Sequence, residues 1–186
     1  AKKMLTQLSK TDIDIVKFQL GNPDNIFSKD AILANYQKNS NYKNPILLSK
    51  KNQLSPNSHI KLKKLCKKLN LTYACTAFDL KSLIFLDKKL KIPFFKIASG
   101  EIHSLDMLEY ISKSKKPVIL STGMSNISDI KMSLKVLQKN NKKNITLLHC
   151  VSAYPTKLKD MNMKRIDLLK KKFKLDVCLS DHSLSF

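Results

Sequence analysis

Short apolar runs rich in β-branched and aromatic residues alternate along the chain with longer stretches whose apolar residues recur every three or four positions. The runs cover 13–19, 71–77, 94–98, 118–122, 145–150 and 176–180. Their continuous apolar character predicts strands buried on both faces, as in a parallel sheet. Helical stretches lie between them, at 58–69, 80–90, 104–114, 128–139 and 164–173. In the first, Ile60, Leu62, Leu65 and Leu69 fall on one side and lysines on the other. Residues 1–10 read as the end of another helix. Residues 21–55 read as a long polar loop with one short helix near 31–36.

A strand followed by a helix, repeated every ~25–30 residues, predicts βαβ units. An open doubly wound sheet and a closed (β/α)8 barrel share this rhythm. A barrel usually takes about 250 residues, against 186 here. The chain opens inside a helix and closes just after a strand, so the expectation is a barrel with pieces missing.

Composition changes this picture only at the margins. Hydrophobic residues make up 42% of the chain, enough for a core. No window approaches the ~18 apolar residues of a membrane helix. No apolar leader follows Ala1-Lys2-Lys3-Met4. A cytoplasmic protein with no membrane partner is therefore expected. The net charge of +21 raises a nucleic-acid reading. Against it, every basic residue but Arg165 is lysine, and arginine is the residue whose planar fork grips phosphate and guanine. Lysine and asparagine rising together as arginine vanishes is the mark of an AT-rich genome. The lysines read as solvated helix faces, with a weak steering field for anions as a second use. No nucleic-acid partner is expected. Cys66, Cys75, Cys150 and Cys178 have neither metal nor redox spacing and read as reduced, buried hydrophobes.

Ligands of parallel α/β folds bind at the carboxyl ends of the strands. The residues found there are Lys17 and Gln19, then Thr76-Ala77-Phe78-Asp79, then Lys96 with Ser99-Gly100-Glu101. Ser121-Thr122-Gly123 follows, then His149 with Ser152 and Tyr154, then Ser180-Asp181-His182. Lysines buried in strands and small hydroxyls suit a phosphate or carboxylate. Glu101 can move a proton, and the histidines can bind metal or move protons. Each has a plainer alternative. The serines can close turns, Glu101 can cap the next helix, and Asp181 can orient a histidine or cap a turn. His149 can be a core histidine, while His59 and His103 read as surface residues. Two of only three glycines, Gly100 and Gly123, lie in these turns, which implies positive φ or a close backbone approach. The residues alone describe an α/β enzyme for a small anionic substrate, with a divalent metal conceivable.

Seven segments in order carry a resemblance. They are Val16-Lys17-Phe18-Gln19, Ala34-Asn35-Tyr36-Gln37, Thr76-Ala77-Phe78-Asp79 and Lys96-Ile97-Ala98-Ser99-Gly100-Glu101. Leu120-Ser121-Thr122-Gly123-Met124 follows, then Leu148-His149-Cys150 with Ala153-Tyr154-Pro155-Thr156, then Leu179-Ser180-Asp181-His182-Ser183. Together they resemble the N-acetylneuraminate (sialic acid) synthase family, which includes the legionaminate and pseudaminate synthases. The resemblance implies a TIM barrel followed by an antifreeze-like domain. It implies condensation of phosphoenolpyruvate with an N-acetylated amino sugar (N-acetylmannosamine or a diacetamido sugar), with release of phosphate. It assigns Lys17, Lys96, Ser99, Ser121 and Ser180 to phosphoenolpyruvate. Gln19, Glu101 and Tyr154 go to the amino sugar, with Glu101 also catalytic. His182 goes to a divalent metal, Mn2+ or Mg2+. Chemistry alone pairs His149 with His182; the family pattern pairs His182 with a histidine in a later Glu-Lys-His-Phe motif.

That motif, the family's opening strand and the antifreeze-like domain are not in this sequence. Ala77 replaces a usual proline, and Ser152 stands where some relatives have asparagine. The expectation is a partial barrel over 1–186, first and last strands missing, inactive alone and belonging to a homodimeric parent enzyme. The alternatives are an inactive truncated remnant and a related barrel that condenses phosphoenolpyruvate with another aldehyde.

Overall fold

The computed structural model describes residues 1–34, 37–38, 41–140 and 144–184. Its contacts divide the chain into two units, Ala1–Ile92 and Pro93–Phe186. Both are α/β, and every strand pairing within them is parallel.

The first unit runs α1 (Lys2–Leu8), β1 (Ile15–Leu20), α2 (Pro23–Ile26), α3 (Pro45–Asn52), α4 (Pro56–Lys68), β2 (Thr72–Ala77) and α5 (Leu80–Ile84). Strands β1 and β2 form a two-stranded sheet, with Val16 opposite Tyr73 and Gln19 opposite Thr76. The expected loop over 21–55 contains two helices. Each starts on an Asn-Pro pair: Asn22 accepts the amide of Asp24, Asn44 accepts that of Leu47, and a proline follows in each case. The described part of the expected short helix, 31–34, is not helical; Asn35 and Tyr36 lie outside the described residues. Helix α4 starts on Ser55-Pro56 in the same way. The expected single helix over 80–90 is α5 followed by a π-helical turn, Phe85–Lys89.

His59 corrects its reading as a surface residue. It is fully buried on the face of α4 that carries Leu62 and Cys66. Its Nδ1 lies 2.7 Å from the Tyr73 hydroxyl, and Phe18 stacks on Tyr73 with ring centroids 5.6 Å apart. Positions 59, 62 and 66 share one helical stripe, so this histidine had to face the sheet.

The second unit runs β3 (Phe95–Ile97), α6 (Leu105–Ser112), β4 (Val118–Ser121), α7 (Ile127–Gln138), β5 (Ile145–Cys150), α8 (Lys164–Phe173) and β6 (Asp176–Ser180). Its four strands are ordered β3-β4-β5-β6. Asn126 and Asp129 close a capping box at the start of α7. The apolar stripe of α6 (Met107, Leu108, Ile111) and that of α7 (Ile130, Leu134, Leu137) are buried with Leu120 and Leu147 of the sheet. Strand β2 is buried on both faces as expected, but β1 and β6 are not. Their open positions include Ile15, Lys17 and Cys178. Cys178 is therefore an exposed thiol, unlike Cys66, Cys75 and Cys150. Among the described residues no helix is long and apolar enough to cross a membrane.

Candidate active site

In-register neighbours on parallel strands point the same way, and successive residues point opposite ways. In the second unit Lys96 pairs with Ile119, Ser121 with Leu148, and Cys150 with Ser180. Lys96, Ser121, Cys150 and Ser180 therefore share one face of the sheet, at or near the carboxyl ends of four adjacent strands. His149 pairs with Leu179 on the other face.

On the shared face, the Lys96 ammonium donates to the Ser121 hydroxyl at 2.5 Å and to the Ile97 carbonyl at 3.2 Å. The Ser99 hydroxyl, in a 3-10 turn after β3, accepts the Gly123 amide at 3.1 Å and lies 3.3 Å from the Cys150 sulfur. A Cβ on Gly123 would stand 2.6 Å from the Ser152 hydroxyl and 2.9 Å from that of Ser99. Glycine is required there by space. Positive φ is not the reason, since no described glycine has it; the next residue, Met124, does, at 54°. Gly100 fits neither expectation, because a Cβ there would meet nothing closer than 3.9 Å.

The Glu101 carboxylate accepts the Ser104 hydroxyl at 2.5 Å, ahead of α6. The Tyr154 ring stands 4.5 Å from that of His182, and the Tyr154–Pro155 bond is cis. His182 Nδ1 lies 2.9 Å from the Val151 carbonyl, which can only accept. The proton therefore sits on Nδ1. In the neutral ring Nε2 keeps its lone pair and accepts from the Ser180 hydroxyl at 3.3 Å. That is the tautomer of a metal ligand. Among the described residues no three His, Cys, Asp or Glu side chains are grouped for a metal. Asp181 is exposed and closes a turn on Ser183. The Ser183 amide and hydroxyl hold its carboxyl below the usual range.

His149 is a core residue, on the face of β5 opposite the one that carries Cys150 and Ser180. It is buried, and its Nε2 donates to the Met161 carbonyl at 2.6 Å, tying down the segment before α8. His103 is exposed, as expected.

In the first unit Lys17 and Gln19 share a face of β1, and Thr76 is in register with Gln19 on the same face. Lys17 keeps an open surface, yet desolvation by its strand neighbours lowers its pKa, opposed by the nearby Cys75. The Cys75 thiol is itself pushed up to about 12 by burial. Thr76 is a residue that sequence reasoning left without a role. Its hydroxyl is buried and has no hydrogen-bond partner among the described residues. The readable signal was a β-branched alcohol at the end of an otherwise apolar strand.

The NeuB family matches residues 4–186. The chain belongs to that family. It is 41% identical to the N,N'-diacetyllegionaminic acid synthase of Campylobacter jejuni, covering 98% of this chain and 56% of that protein. The chain spans about half the length of the curated relatives it matches. A crystal structure of the N-acetylneuraminic acid synthetase of Leptospira borgpetersenii in complex with citrate superposes with a TM-score of 0.85 at 29% identity, over 98% of this chain and 59% of that one. The DAHP synthase of Thermotoga maritima shares the fold alone, with a TM-score of 0.64 at 13% identity over 98% of this chain and 47% of that one. The named relatives cited for this NeuB chain include sialic-acid-type synthases, and the expected family resemblance is established.

Proposed function

We propose that the protein carrying this chain condenses phosphoenolpyruvate with an open-chain N-acetylated amino sugar to a nonulosonic acid. The observation that carries this reading is the shared face of Lys96, Ser121 and Ser180, with Ser99 beside it. A cation and three hydroxyls at strand ends suit a phosphate and a carboxylate on one small molecule. The names of the family relatives support the sugar-acid product.

In the proposed reaction, carbon 3 of phosphoenolpyruvate bonds to the sugar aldehyde carbon, and the aldehyde oxygen takes a proton. Water adds its oxygen at carbon 2. The bond from that carbon to the phosphate oxygen then breaks, leaving inorganic phosphate and an α-keto acid. Lys17, Lys96, Ser99, Ser121 and Ser180 bind the anionic groups. Gln19, Glu101 and Tyr154 bind the sugar, with Ser104 orienting Glu101 for proton transfer. His182 contributes one ligand to Mn2+ or Mg2+, which when bound polarises the aldehyde as a Lewis acid. This reading places activity in the whole protein, a homodimeric TIM-barrel enzyme, because the chain spans about half the length of the relatives it matches.

The test is phosphate release by the intact protein from phosphoenolpyruvate with N-acetylmannosamine or a diacetamido sugar. Release with neither sugar, at any divalent metal, defeats the reading. Release with another aldehyde, such as a phosphorylated aldose, would favour the related barrel chemistry that the fold shares.

A further inference from the structure

The chain supplies positive charge with lysine everywhere but once. Of 35 basic residues, Arg165 alone is arginine. Most of the lysines are exposed. Arg165 is half-buried in the first turn of α8, and one of its terminal nitrogens, Nη2, faces two backbone carbonyls. It donates to the Ser125 carbonyl at 2.7 Å and, more weakly, to that of Thr122 at 3.4 Å.

Those carbonyls bracket Gly123 and Met124. The segment has firm anchors at its two ends. The Thr122 amide bonds the Leu148 carbonyl at 3.0 Å, and Asn126 opens the α7 capping box. Between them the backbone turns through the left-handed residue Met124, whose side chain is 73% exposed. In this conformation the Gly123 amide reaches the Ser99 hydroxyl at 3.1 Å. A guanidinium is planar, holds its N–H groups in fixed directions and is weakly hydrated, so it can sit half-buried against carbonyls. An ammonium is more strongly hydrated and would lose more on entering the same place.

We propose that Arg165 is a positioning residue for the loop after β4. It fixes the backbone of 122–125 and so keeps the Gly123 amide on the Ser99 hydroxyl. The single arginine of a lysine-rich chain stands where bare charge does not suffice. The consequence for phosphoenolpyruvate binding rests on the function proposed above; the consequence for the loop backbone does not.

The test compares the intact native protein with Arg165→Ala and Arg165→Lys, by hydrogen exchange over peptides and by steady-state kinetics. Arg165→Ala is expected to speed exchange over 118–126 by about tenfold and to leave 145–150 unchanged. The KM for phosphoenolpyruvate is expected to rise by about tenfold with kcat within about threefold. Arg165→Lys recovers less than half of either change. Added guanidinium ion, which restores the lost head group, lowers the KM of Arg165→Ala. Arg165→Lys matching the native protein in exchange and KM would overturn the proposal, as would unchanged exchange over 118–126 in Arg165→Ala. If the alanine variant does not fold, exchange in Arg165→Lys decides by the same criterion. If the native protein releases no phosphate, the enzymatic reading fails, and the exchange comparison still decides the role of Arg165.

Discussion

Polar side chains occupy two kinds of place in this fold, and they differ in what they leave available. Behind the sheets, His59 bonds Tyr73 and His149 bonds the Met161 carbonyl. Both rings are almost completely buried, against helix or loop. At the strand ends, Lys96, Ser121, Ser180 and His182 also bond one another or the backbone; Ser121 is buried, while Lys96, Ser180 and His182 are only partly so. The first set holds elements together. The second is arranged by its neighbours, and in the proposed function it meets a ligand. Along β5 a single step separates the two: Cys150 belongs with the second face and His149 with the first.

The comparison breaks most sharply at Lys96. Lys96→Met is expected to cut kcat/KM for phosphoenolpyruvate by about 100-fold with little loss of stability. Ser180→Ala follows with about 10-fold. A stable Lys96→Met enzyme with native kinetics would remove Lys96 from the site. His149→Phe is expected to do the reverse. It leaves the Met161 carbonyl unpaired and costs about 1–3 kcal/mol in urea unfolding, while KM stays within about twofold.

A gentler test uses pH. Burial lowers the His59 pKa, so below about pH 6.5 the unfolded chain takes up a proton that the folded chain refuses. Stability is full above that pH and falls as pH drops toward the lowered folded value. His59→Phe should flatten this acid slope in thermal unfolding between about pH 7.5 and 5.5; an unchanged slope assigns it to other groups. The smallest effect concerns thiols. Cys178 should react with a thiol reagent in the native state, and Cys66 and Cys75 only after unfolding, because burial raises the pKa of both.

Much of this was legible in the chain. Strands β5 and β6 and helix α8 begin and end where apolar runs and helical stripes begin and end. The strand-end list contained the second unit's polar face, because parallel strands deliver their last residues to one side of the fold. What escaped has local causes. Helices α2 and α3 are too short for a stripe to show, yet Asn22-Pro23 and Asn44-Pro45 announced them by cap chemistry. The polarity of His59 points to the surface, and its place among Leu62 and Cys66 on α4 outweighs that. That His149 faces away from Cys150 and Ser180 needed the strand register, which depends on residues far apart in sequence. Gly123 stands out in the sequence as one of three glycines, but its crowding by Ser99 and Ser152 is a tertiary fact.

The left-handed residues hold one more consequence. Asn70, Lys91, Met124, Asn162 and Lys174 take φ values that favour glycine, in a chain with only three glycines. Each non-glycine residue in that region costs roughly 1–2 kcal/mol, somewhat less for asparagine. Backbone strain is thus stored where elements end. Lys91→Gly and Lys174→Gly are places where the chain can be made more stable than inheritance left it, by about 1 kcal/mol each in urea unfolding.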